Sequence, residues 1–196
     1  MYEYTDKVIL VMRKRFVKMF SEYKAQLNID EINVLKSSKA LYDELFEFTV
    51  LCFEKIAKRS YKTYGKKRKI DRDWVLVFLE EYDPITKYVF SHEVERKQAR
   101  FAESVISSPS PTKEVDTALR YWSKMASQYA IEVTDRATLD GMKDSGVKKV
   151  VWIAVEDPKT CAVCDERNGK IYDIDKVPPK AHIGCRCYLK PYKEVK

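Results

Sequence analysis

Cys161-Ala162-Val163-Cys164 and, after seventeen further residues, His182-Ile183-Gly184-Cys185-Arg186-Cys187 form the stretch on which the reading of this chain turns. Four of the five cysteines and one of the two histidines lie in it. Two ligand pairs, each on a tight turn and parted by a loop, are the sequence form of a structural zinc site. A C-x-x-C turn lets two thiolates converge on one ion, and a tetrahedral ion takes two more ligands from a distant segment. Closing the loop through Zn2+ offsets an ordering cost that so short a segment could hardly offset with a core of its own. Cys161, Cys164, His182 and Cys185 are the favoured ligands, with Cys187 as the alternative. On an extended strand Cys185 and Cys187 share one face, and both then reach the ion. Two blander readings stand beside this one: thiols packed as small hydrophobes, or a pair of disulfides. A catalytic ion would need an open coordination position and a nearby base, and nothing here marks either.

Around the cysteines the chain is β-like. Residues 147–155 are β-branched and apolar around Trp152 and predict a strand. Asn168-Gly169 predicts a hairpin turn, with Ile171 and Tyr172 opening a returning strand. Pro178-Pro179 bars regular structure, and residues 186–189 can close a small sheet. Residues 147–196 therefore form one unit, a small β module stapled by a Cys/His site of zinc type.

Residues 1–146 read as a body of long helices, so the fold class is α+β, mainly α. In residues 4–27 the apolar stripe is Val8, Met12, Phe16, Met19, Tyr23 and Leu27, with basic residues mostly off it. A core-facing helix explains this stripe better than a membrane-surface helix does. Residues 28–38 read as a break, with Asp30 capping a short turn and Ser37 or Ser38 capping a second long helix. That helix carries Leu41, Leu45, Phe48, Cys52 and Ile56 on one face and stops at Gly65 in a left-handed cap. Cys52 is a core residue. Asp71 caps a helix over 74–82, and Asp83-Pro84 opens another that carries Phe101 and Val105. His92 sits there without a chemical partner, so no role falls to it. Residues 107–111, Ser-Ser-Pro-Ser-Pro, form a linker, after which Thr112 caps a last long helix ending near Gly146.

The charge is +7, with 34% of residues charged, which favours an acidic partner or nucleic acid. Its densest positive region is Lys62, Lys66, Lys67, Arg68 and Lys69, interleaved with Tyr61 and Tyr64. Such a region can hold a phosphate backbone without reading sequence, or can simply be a solvated turn where cations suit a helix C-terminus. Clustered cysteines with metal spacing indicate a reducing compartment. Neither a signal peptide nor a membrane-spanning length of apolar chain is present. The sequence also contains no phosphate-binding glycine loop, no Gly-x-Ser-x-Gly and no His-Glu-x-x-His.

Trp152, Asp157, Cys161-x-x-Cys164, Asn168-Gly169-Lys170, Pro178-Pro179, His182, Cys185-Arg186-Cys187 and Leu189-x-Pro191 occur in that order. The ordered set resembles the C-terminal signature of the phage Mu F-like minor head proteins, the head-morphogenesis family of tailed bacteriophages. It covers roughly residues 134–192. The resemblance implies a structural, non-enzymatic minor capsid protein of a phage or prophage. It also implies association with the portal protein and other capsid proteins, and a part in head assembly, DNA packaging or delivery. The expected location is the virion, and the host cytoplasm during assembly, with packaged DNA as a non-specific partner and no membrane contact. Relatives are often longer at the N-terminus, and some carry an added toxin or ADP-ribosyltransferase domain, for which the nine residues after Cys187 leave no room. An alternative from another class is a zinc-containing nucleic-acid-binding regulator, which would need a helix presenting side chains to base edges. An HNH-like nuclease would need a catalytic histidine beside the metal, and His182 cannot be both ligand and base.

Overall fold

The computed structural model describes residues 2–86, 94–155, 160–181 and 185–193. It is mainly helical, with one small sheet near the C-terminus. The helices are α1 (Glu3–Ala25), α2 (Glu31–Tyr61), α3 (Arg72–Thr86), α4 (Val94–Ser107), α5 (Pro111–Asp144) and the short α6 (Ala162–Arg167). The strands are β1 (Lys149–Ile153), β2 (Ile171–Asp173) and β3 (Tyr188–Pro191).

The first helix follows its apolar stripe: Val8, Met12, Phe16, Met19 and Tyr23 are all buried. The expected break at 28–38 is much shorter. Asp30 caps α2 directly, its carboxylate accepting from the Asn33 amide at 3.0 Å, and one helix of 31 residues follows. Neither serine caps it. Ser37 bonds back to the Asn33 carbonyl, and Ser38 is buried 3.0 Å from the Tyr23 hydroxyl, so tertiary packing absorbs two residues that locally favour a helix start.

The far end of α2 also differs from expectation. The helix ends at Tyr61, and Gly65 does not take a left-handed φ. Glycine is needed there for space: a Cβ would lie 2.4 Å from the Tyr61 ring and 2.9 Å from Gly141 Cα. Gly141, in turn, lets α5 pass against the Tyr61 carbonyl, which a Cβ would meet at 2.5 Å.

Asp71 caps α3 as expected, through the Trp74 amide at 3.3 Å. Asp83-Pro84 does not open a new helix but lies within α3, in its last turn, where the missing amide removes one bond of the ladder just before the helix ends. His92, Tyr88 and Val89 fall outside the described residues. The 107–111 segment shortens to a break between α4 and α5. Ser110, not Thr112, occupies the N-cap position of α5, and Pro111 follows in its first turn, where proline lacks only an amide that has no helical partner.

α1, α2, α4 and α5 pack into one core. Tyr23 meets Ser38 and Arg15 meets Glu44, so α1 and α2 run antiparallel. Thr5 meets Thr134 and Lys24 meets Asp116, so α1 and α5 also run antiparallel. Phe53 stacks on Tyr129 near the middle, and Tyr61 bonds Asp144 at the end, so α2 and α5 run side by side in one direction. α3 lies against α2 through a bidentate Arg72–Glu47 pair. Its Trp74, Phe78 and Tyr82 form a stack that ends edge-on to Tyr129. Cys52 is buried in this core.

At the end of α5, Gly146 takes φ +86°, and the amides of Gly146 and Val147 bond back to the Lys143 and Met142 carbonyls. This left-handed stop sends the chain straight into β1. The sheet is antiparallel with order β2-β1-β3, so β1 is central and the proline-bearing β3 is an edge. β1 and β2 are not joined by a two-residue hairpin. Asn168 and Gly169 instead terminate α6: Gly169 has φ +75°, and its amide donates to the Trp152 carbonyl at 2.8 Å. The Asn168 side chain accepts from the Ala154 amide at 3.0 Å. The same left-handed tolerance that suits a hairpin turn here serves a helix end.

Candidate metal centre

β1 supplies the floor of the centre. Its inward residue Trp152, with Ala154, packs on Cys164, Cys185 and Cys187. Cys161 is the N-cap residue of α6 and Cys164 lies in its first turn, so the C-x-x-C pair is set by one helical start. Cys185 and Cys187 are buried while Arg186 between them is exposed, the alternation of an extended chain.

The sulfurs converge. Cys164 Sγ and Cys185 Sγ are 3.4 Å apart, and those of Cys164, Cys185 and Cys187 all lie within 4.8 Å of one another. Cys161 is half-buried, packs on the same cluster and is hydrogen-bonded to Cys164. Zinc bound tetrahedrally by thiolates at about 2.3 Å holds its sulfurs roughly 3.8 Å apart, so the donor set and its spacing fit such an ion. All five cysteines are free thiols. Burial pushes the thiols of Cys164 and Cys185 up from their ordinary range, and neighbouring sulfurs add to this at Cys164. Burial thus opposes ionisation of the Cys164 and Cys185 thiols, and a divalent ion would favour their thiolates.

Of the favoured ligands, Cys164 and Cys185 are thus brought together, with the alternative Cys187, while Cys161 packs beside them and is not among the sulfurs within 4.8 Å of one another. His182 lies outside the described residues.

A polar hub that sequence reasoning missed backs this centre. Lys180 Nζ lies 2.6 Å from Asp135 Oδ2 and donates to Tyr2 Oη and to the Cys185 carbonyl, both at 2.9 Å. The Tyr2 hydroxyl lies 2.7 Å from Asp135 Oδ1, with the Cys187 carbonyl 3.0 Å away on the same donor. Burial raises Asp135 above the usual carboxylate range, against the pull of Lys180, and burial beside Asp135 raises Tyr2. Residues 2, 135 and 180 share no spacing that a sequence pattern could register. Beside the hub, a cavity of about 420 Å³ opens between α3, α5 and the module, lined by Phe78, Tyr82, Glu132, Leu139, Trp152 and Leu189 among others. Burial pushes Glu132 up to about 7, with Lys180 opposing and Asp135 adding to the shift.

The basic region is divided. Arg68 is engaged by Asp140 at 3.1 Å and Asp144 at 3.7 Å, and Lys69 by Asp71 at 2.9 Å. Lys62, Lys66 and Lys67 are exposed. Among the described residues no helix is long and apolar enough to cross a membrane.

These features define a helical protein with a cysteine-centred β module docked at the end of its longest helix. The sequence profile of the family described as Phage Mu protein F like protein matches residues 93–190, half of the chain. The chain belongs to that family. The matched region begins well before the 134–192 signature and takes in α4 and all of α5, the helix that carries the module. No curated protein and no solved structure matches the chain. Family membership points to a role in phage head morphogenesis, to contact with other head components and to the virion.

Proposed function

We propose that this protein is a structural minor head component, placed at the portal vertex of a tailed phage or prophage, where it serves head assembly, DNA packaging or delivery. The family match over 93–190 carries this reading. The role is architectural rather than catalytic: the chain divides into a helical body, residues 1–146, and a docking module, residues 147–196. Zn2+ held by the cysteine cluster gives the module its shape. Cys161, Cys164 and Cys185 supply three ligands, and the fourth comes from His182 or Cys187. Soft, buried sulfurs at tetrahedral spacing support a structural ion. When bound, the ion supplies four fixed bonds and no chemistry. Exposed Lys62, Lys66 and Lys67 favour non-specific contact with packaged DNA.

Deleting the gene from its phage or prophage should leave heads that fail to assemble or to fill, and the protein should co-purify with the portal protein. Normal numbers of DNA-filled, infectious heads without it would overturn the proposal. Sequence-selective DNA binding by the isolated protein would favour a zinc-containing regulator instead.

A further inference from the structure

We propose that Tyr2, Asp135 and Lys180 form a latch that positions the Cys185–Cys187 loop from the helical body, so that loading of the metal centre and docking of α1 are one coupled equilibrium. The proposal rests on the cysteine cluster being a metal centre.

The latch joins three separate parts of the chain. Tyr2 immediately precedes α1, Asp135 projects from α5, and Lys180 leads into the cysteine loop. An ammonium has three donors and no acceptor. Here two acceptors take its hydrogens, Tyr2 Oη and the Cys185 carbonyl, and Asp135 Oδ2 faces it as an ion pair. The Lys180 side chain is only 11% exposed, so each lost partner would leave a buried charge short of a bond. The ammonium also sits 5.2 Å over the Tyr2 ring.

Two of the latch contacts end on backbone carbonyls of cysteines in the cluster, Cys185 and Cys187. The latch therefore acts through these residues and not on an ion. Fixing the two carbonyls fixes the peptide plane that follows each cysteine, Cys185–Arg186 and Cys187–Tyr188, and so restrains the directions of the two sulfurs.

Reciprocity follows by linkage. If the latch favours the metal-bound loop, the metal-bound loop favours the latch, and through Tyr2 it holds the start of α1. Occupancy of a site near the C-terminus should then be felt at the N-terminal helix, which a locally closed zinc knuckle would not require.

The test uses the full chain, with Zn2+ as the probe. Wild type is compared with Tyr2→Phe, which keeps the ring, with Lys180→Met and with the double variant. The exposed-site variant Lys176→Met is the control. Zinc affinity is measured by chelator competition, helicity by circular dichroism, and hydrogen exchange is followed in the first turns of α1. Each single variant should raise the zinc dissociation constant by about tenfold to a hundredfold, the range for groups that orient ligands. The double variant should be little worse than the poorer single, because the two residues act as one unit. Zinc should slow exchange at the start of α1 in wild type and have no such effect in Tyr2→Phe. Affinities within twofold of wild type, or α1 exchange indifferent to zinc in wild type, would overturn the latch. A wild-type chain that takes up no zinc would instead defeat the metal reading. The latch is then tested on the metal-free protein: Tyr2→Phe should hasten proteolysis within 177–187, and equal rates would overturn it.

Discussion

The helical body and the cysteine module solve the same problem with different materials. The body buries Phe16, Phe20, Leu45, Phe53, Ile56, Leu79 and Tyr129 almost completely, and each is held by neighbours on several helices. Its stability comes from the area of apolar surface taken out of water. In the module one cluster buries Trp152, Ala154 and three cysteines, and a second, smaller one joins Val150 and Ile174 to Met142 of α5. A β unit this small rarely stands on its own apolar contacts. The difference teaches that the cysteines stand where a larger domain would place leucines. The body should therefore resist any single chemical insult, and the module should depend on one.

The largest test of that contrast is Cys164→Ser, or removal of metal with a strong chelator. Either should unfold the module while most of the helicity remains, read as rapid proteolysis confined to 147–193 with little change in far-ultraviolet dichroism. An unchanged digestion pattern would erase the contrast. Next is Phe53→Ala, in the C-terminal third of α2 and stacked on Tyr129. It should cost about 3–5 kcal/mol of body stability in denaturant titration and leave zinc content unaltered. Loss of metal together with that stability would show body and module to be a single cooperative unit.

Glu132 sharpens the comparison at the seam. Its folded value of about 7 lies above the ordinary 4.5, because burial between Tyr82 and the module penalises the charge more than Lys180 favours it. The folded chain then keeps a proton that the unfolded chain has already released. This acid thus favours folding at low pH, and its contribution is lost as pH rises from about 4.5 through about 7. Glu132→Gln should flatten that slope and stabilise the protein above pH 7 by on the order of 1–2 kcal/mol in thermal melts. An unaltered pH profile would place the carboxyl in solvent.

The smallest effect on stability should come from the body's basic edge. Replacing Lys62, Lys66 and Lys67 by Gln should change folding by less than about 0.5 kcal/mol, yet weaken DNA binding and lower its salt dependence. Because Arg68 is tied to Asp140 and Asp144, Arg68→Gln should act mainly on stability. The reverse pattern would move the DNA contact from the three lysines to the paired arginine.

Much of the candidate site was legible in the sequence. Cysteine spacing marks two half-sites whatever the tertiary structure, and Trp152 to Pro191 carries an ordered signature. Helix boundaries were less legible. Ser37, Ser38, Thr112 and the Asp83-Pro84 pair are all competent helix starters, and none starts one, because packing against Tyr23 or continuation of an existing helix outweighs a cap. Asn168-Gly169 and Gly65 have the residue types of backbone punctuation. Their actual tasks, ending α6 and admitting α5, depend on neighbours far along the chain.

The sequence by itself determined the apolar stripes of the helices, the strand around Trp152 and the residues able to bind a soft cation. Each of these is local, a matter of periodicity, propensity or ligand chemistry over a few residues. Only the tertiary structure decided that Cys187 joins the cluster, that Arg68 and Lys69 are engaged by carboxylates, and that Tyr2 and Asp135 reach the cysteine loop through Lys180. Those contacts join residues up to 185 positions apart, and their energies depend on burial that no short window of sequence contains.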